Sequence, residues 1–283
     1  MGYDLVITGM QVVHDSTDCF LDQYFLESTK IKKDINKFKM AKKSKATELA
    51  ILLAVATMEN SKFTGDPSDG GIIIGSEYLC LDKVKDFYRS AILLDTPQVR
   101  PNLFSNSANS ALSGEVASEI GLRGVCWSCT SKEMSSMYAI FAGIRTIKEF
   151  DMPFILIGSV DIFENLLEHN KGYGGMVFVE EKRKAIQRGA RLLANIKVFT
   201  GKEAEEQMKN NSSSFCICIN EKDKANGLKK RTQIASDCKS GIEGMIYGCA
   251  KLNDIKEGVK KAIVYQENDN EAFCVVLEKE ETR

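Results

Sequence analysis

The chain has 283 residues, 43% hydrophobic and 27% charged, with 38 Lys and Arg against 39 Asp and Glu. That is the composition of a soluble globular protein, and a net charge of −1 gives no electrostatic footprint for nucleic acid or an anionic membrane. No segment approaches the ~18 apolar residues of a membrane span, and MGYDLVITGM lacks the features of a signal peptide. Nine cysteines without an export signal then read as reduced thiols in the cytoplasm.

In chain order, Tyr3–Thr8 is an apolar β-type run ended by Gly9. The segment from Lys30 to Lys45 is the one basic excess and reads as a solvated loop. Lys45–Asn60 carries apolar residues at helical spacing, and Gly71–Gly75 is a buried strand bracketed by glycines. Leu81–Leu94 again has helical spacing, and Asn106–Ile120 is a helix of small residues. Val125–Ser131 reads as a strand, followed at once by a helix over Glu133–Phe150 and an apolar strand over Pro153–Gly158.

Further on, Tyr173–Glu181 predicts a strand, Lys182–Gly189 a helix and Arg191–Thr200 a strand. Phe215–Asn220 is a short buried strand, Gly241–Tyr265 reads as helical and Ala272–Lys279 as a last alternating strand. The polar stretches 200–214 and 221–232 read as surface loops. Strands alternating with helices imply an α/β architecture with a largely parallel, buried sheet.

Cys126 and Cys129 form a CxxC, and Cys216 and Cys218 a CxC. In an extended strand the first pair faces opposite sides, whereas a metal needs thiolates converging on one point. Both pairs therefore read as small buried hydrophobes, with no metal or cofactor implied.

Several pieces, in order and at matching distances, resemble β-ketoacyl synthases of the type II fatty acid and polyketide kind. They are DLVITGMQVV (Asp4–Val13), GIIIGS (Gly71–Ser76), PNLFSNSANSALSGEVASEIGL (Pro101–Leu122), Arg123-Gly124, and FILIGSVD (Phe154–Asp161). The resemblance implies one thiolase-like domain over 1–283, layered αβαβα in two related halves. Residues 1–165 would be the ketosynthase-like half and 166–283 a shortened second half.

The family's nucleophilic cysteine sits at the N-terminus of a buried helix, where backbone N–H groups favour a thiolate and an oxyanion. Aligned without a gap from Arg123-Gly124 to Ala139-Ile140, that position holds Glu133. Cys129 lies four residues earlier, in the strand. The family also draws two histidines, or a His/Asn pair, from its second half to activate malonyl thioester. This chain has only His14 and His169, and none after Asn170. In the segment Lys239–Gly248, Met245 stands in the histidine's place.

The resemblance thus implies a non-catalytic, chain-length-factor-like subunit that pairs with an active ketosynthase and meets acyl carrier protein through that complex. Phe104, Asn106, Trp127, Met134 and Met137 are its expected interface or tunnel residues, and Glu133 is expected either to fill the oxyanion hole from within or to serve only as an acid that stabilises the helix N-terminus. Two other readings are a stand-alone acyl- or carrier-binding protein of the same fold and a malonyl-carrier decarboxylating initiation subunit. The last still needs the missing histidines.

Overall fold

The structure, a computed structural model, describes residues 4–13, 43–92, 101–163, 171–210, 215–219, 234–235, 238, 240–254 and 258–280. Its elements are β1 (Leu5–Val13), α1 (Lys45–Ser61), β2 (Gly71–Gly75), α2 (Leu81–Ile92), α3 (Pro101–Ser107), α4 (Ala111–Ile120), β3 (Cys126–Cys129), α5 (Ser135–Glu149), β4 (Phe154–Phe163) and β5 (Lys171–Glu181). There follow α6 (Lys182–Gln187), β6 (Ala194–Thr200), α7 (Gly201–Asn210), β7 (Phe215–Cys218), β8 (Ile234–Ala235), α8 (Gly241–Asn253), β9 (Lys261–Glu267) and β10 (Ala272–Glu278).

Hydrogen bonding links the strands in the order β3-β2-β4-β5-β1-β6-β10-β9-β7-β8. Read inward from each end, β3-β2-β4-β5-β1 and β8-β7-β9-β10-β6 are the same arrangement made twice. Among the described residues the backbones of the two sets pair only where Leu5–Ile7 of β1 lies antiparallel to Ala194–Ile196 of β6.

Side-chain alternation in the strands sorts the core into layers. Ile72, Ile74, Leu156 and Phe178 pack under α1 and α4 in one outer cluster. Ile73, Ile155, Ile157 and Val177 face the other way, onto Met137 and Ile140 of α5 and Ile242 and Ile246 of α8. Ile217, Val264, Phe273 and Val275 from the second set of strands close the same central cluster. Cys216, Cys218, Ile263, Tyr265 and Val276 form a second outer cluster with Ala204 and Met208 of α7. The result is five layers, helix-sheet-helix-sheet-helix.

Four expectations change. The sheet is mixed rather than largely parallel. The pairs β2–β3, β2–β4, β7–β8 and β7–β9 are parallel, but β4–β5 and β9–β10 are antiparallel. Their connections are too short for the crossover that parallel neighbours require. The helical reading of 241–265 ends at Asn253, and Lys261–Glu267 is a strand, because burial on both faces hides the period-two signal. The expected loop over 200–214 holds helix α7. The helix expected over 106–120 is two helices, broken between Ser107 and Ala111, so Asn106 closes α3 instead of opening the longer helix.

Candidate functional site

The turn from β3 into α5 occupies the nucleophile position of the resemblance. Ile73 and Trp127 are register partners in the parallel pair β2–β3, and the chain reverses just beyond Cys129. Lys132 takes a left-handed conformation, φ 50°. The Met134 and Ser135 amides donate to the Ser131 and Lys132 carbonyls at 3.0 and 3.1 Å. Ser135 braces the turn, its hydroxyl accepting from the Ser131 amide at 2.8 Å and donating to the Lys132 carbonyl at 2.5 Å. The end of β2 lies close against α5, since a Cβ on Gly75 would fall 2.3 Å from the Ser135 carbonyl oxygen. Glycine is required there by contact alone.

Glu133 lies two residues before the first residue of α5, whose cap is Met134. Its side chain is exposed and makes no hydrogen bond among the described residues. The expected internal plug is therefore corrected: the helix starts late, and the exposed carboxylate accepts from none of its described amides. The Glu133 carbonyl is engaged instead, accepting from Gln266 Nε2 at 3.0 Å.

The first two turns of α5 are fastened to the second half. The Ser136 hydroxyl accepts from the Gly241 amide at 2.8 Å, at the first residue of α8. Met137 packs against Gly241 so closely that a Cβ there would fall 2.3 Å from its sulfur. The Tyr138 hydroxyl donates to Glu271 in the β9–β10 hairpin, and the Tyr138 and Phe141 rings meet Phe273 edge-on. Met134 and Met137, expected at an interface or tunnel, are 1% exposed in the central core.

Cys129 is the nearest thiol. It is half-buried at the end of β3, and burial pushes its thiol up, away from the thiolate a nucleophile needs. Cys126 faces the outer cluster and Cys129 the central one, so the CxxC does not converge. Cys216 and Cys218 are buried, each 1% exposed. No group of three or more His, Cys, Asp or Glu among the described residues is placed to hold a metal. His14, His169 and Lys239 lie outside the described residues, while Met245 is fully buried in the central core.

The remaining candidates mark an edge. Among the described residues β3 ends the sheet and pairs on one side only, and Trp127 on it is 49% exposed. Strand alternation puts Trp127 on the same face as Val125 and Cys129, the α5 side. Phe104 is 63% exposed on α3, beside α4 on the opposite side of the sheet. Tyr88 and Ile92 of α2 extend that apolar surface. Gln266 and Glu271 escaped the sequence reading. A period-two reading of KAIVYQE would have found Gln266, since it shares a face with Ala262 and Val264. No helix among the described residues is long and apolar enough to cross a membrane.

Five layers with a twice-made strand order define a thiolase-like α/β fold. The Beta-ketoacyl synthase, N-terminal domain, matches residues 13–185, more than half of the chain. The protein belongs to the β-ketoacyl synthase family.

Among solved structures, the ishigamide ketosynthase/chain length factor superposes with a TM-score of 0.77 at 14% identity, over 98% of this chain and 99% of that one. The AntDE:AntF complex, a type II PKS acyl-carrier protein with its ketosynthase bound to the hexaketide, gives 0.76 at 16% identity over 99% and 100%. A β-ketoacyl synthase from Burkholderia phymatum STM815 gives 0.75 at 11%, also over 99% and 100%. Identities this low speak to the fold alone. No curated protein matches the chain.

Proposed function

We propose that this protein is a non-catalytic, chain-length-factor-like partner of an active ketosynthase in type II polyketide or polyene synthesis. The observation that carries the reading is the β3–α5 turn. By the resemblance, its residues Ser131, Lys132, Glu133 and Met134 stand where the family has its thiol. Its carbonyl at Glu133 and the first turns of α5 are tied to the second half by Gln266, Gly241 and Glu271. No histidine follows Asn170 to activate a malonyl thioester. A helix start used this way supports packing rather than acyl transfer.

The heterodimer forms across the β3 edge, where a strand paired on one side carries a half-exposed tryptophan and needs cover. Trp127 lies on the edge strand and contributes to the floor of the partner's acyl tunnel, while Phe104 and Asn106 belong to the docking face on the other side of the sheet. Acyl carrier protein is met through the complex, in the cytoplasm. The two halves divide between β5 and β6, later than residue 165, because β5 pairs with β4 and β1.

The test is co-expression with a ketosynthase encoded beside it, followed by light scattering and mass spectrometry of carrier-bound products. A one-to-one complex is expected, and Trp127→Ala is expected to lengthen the product by a few carbons. Glu133→Cys alone is expected to make no condensation product. Product from that purified single variant would overturn the non-catalytic reading.

A further inference from the structure

One buried carboxylate organises the turn that launches α2. Asp161, near the end of β4, is 2% exposed. Its Oδ1 accepts from the Ser76 hydroxyl at 2.7 Å and from the amides of Glu77 and Tyr78 at 2.8 and 3.1 Å. Its Oδ2 accepts from the Tyr173 hydroxyl at 3.1 Å. Ser76 Oγ accepts in turn from the Leu79 amide at 2.7 Å, and Leu79 is left-handed, φ 50°. Three successive amides therefore converge on two side chains. Burial pushes the Asp161 carboxyl up while these donors pull it down. No cation pairs with it among the described residues. A buried group satisfied only by neutral donors leaves a costly orphan if the turn moves.

Among the described residues, the helix launched by this turn is otherwise tied to the start of α1 through Asp82, whose Oδ2 accepts from the Lys45 amide at 3.2 Å, and through Cys80, whose sulfur accepts from the Ser44 hydroxyl at 3.4 Å. α2 buries no residue and packs chiefly on α3. Phe87 joins the two helices by ring contact with Phe104, leaving Tyr88, Ile92 and Phe104 outward.

We infer that Asp161 is a latch that presets the α2–α3 pair as a rigid docking face, so that a partner meets a formed surface and does not have to order one on binding. Preforming the face removes an ordering cost from association. The identity of the partner rests on the ketosynthase reading above, but the latch does not.

The test compares wild type with Asp161→Ala, Asp161→Asn and Ser76→Ala in the full chain, by hydrogen exchange and then by affinity for the co-expressed ketosynthase. In Asp161→Ala, amides of residues 81–92 are expected to exchange about tenfold faster or more, while α1 and α8 keep their protection. Asp161→Asn, which retains Oδ1 as an acceptor, is expected to restore most of the protection, and Ser76→Ala to fall between. Alkylation of Cys80, 1% exposed at the foot of the turn, is expected to accelerate in parallel. Unchanged exchange over 81–92 in Asp161→Ala, or an equal rise across α1 and α8, would overturn the latch. If Asp161→Ala fails to fold, Asp161→Asn and Ser76→Ala decide by the same comparison. A loosened α2 with unchanged affinity for the ketosynthase would overturn the docking face. Failure of wild type to bind any ketosynthase would sink the partner reading, with the exchange result still deciding the latch.

Discussion

The two halves repeat one strand order but enclose different amounts of core. In the first half, residues 76–125 connect β2 to β3 and include α2, α3 and α4; in the second, residues 219–233 connect β7 to β8. The first outer cluster joins α1 and α4 to the sheet through Ile51, Leu53, Leu112 and Val116. Its counterpart, among the described residues, packs Ala204 and Met208 of α7 on the strands. Among the described residues, the second half therefore owes most of its burial to the central layer it shares with α5. That explains why Gln266, Glu271 and Phe273 reach across to the β3–α5 turn. The β3–α5 turn is thus bonded to the second half, and the exposed aromatic rings of Trp127, Tyr88 and Phe104 sit on the first.

The strongest break in this comparison is within the thick half. Glu180, 1% exposed, is paired with Arg188 Nη2 at 2.5 Å and Nε at 2.9 Å, and Arg188 also donates to the Ser61 and Lys62 carbonyls. Arg188→Ala leaves a buried carboxylate with the Thr8 hydroxyl but without its charged partner, and is expected to cost about 3–5 kcal/mol in urea denaturation. A loss under ~1 kcal/mol would mean that Arg188 is a surface group in solution.

Gln266→Ala tests the tie between the halves. It strands the Glu133 carbonyl and is expected to cost about 1–3 kcal/mol. Hydrogen exchange should rise in β9, β10 and α8 but not in α1. Uniform exchange over both halves would mean that they open as a single unit.

The thiols sharpen the contrast further. Burial pushes Cys216 up to about 11 and Cys249 and Cys274 up to about 12, against an ordinary 9.0. A folded-state pKa above the unfolded one means that the unfolded chain ionises first, so stability should fall as pH rises above 9. Each thiol accounts for about 1 kcal/mol by pH 10. Stability that does not fall between pH 9 and 10 would count against their burial. In sub-denaturing urea, alkylation of these second-half thiols is expected before that of Cys80.

The smallest effect is a gain. Gly114 lies exposed inside α4, where an added Cβ would meet nothing within 4 Å. Gly114→Ala is expected to add about 0.5–1 kcal/mol by favouring the helix. A loss, read by thermal denaturation, would show that α4 is not helical there in solution.

Sequence alone determined the first half almost element by element. Long apolar runs such as KATELAILLAVATMEN and GIIIG have a period or a length that only one kind of buried element satisfies. Through the family resemblance it also sets Glu133 against the nucleophile position, and it shows no histidine after Asn170. What it could not determine was anything set by contacts between distant segments. Strand β9 was read as helix because a strand buried on both faces shows no alternation. The carboxylate of Glu133 was expected inward and is outward, because Ser135, Gly75 and Gln266, far apart in the chain, decide where α5 begins. Trp127 and Phe104 were grouped together and fall on opposite sides of the sheet, since strand pleat and layer order, not sequence distance, assign a side chain to a face.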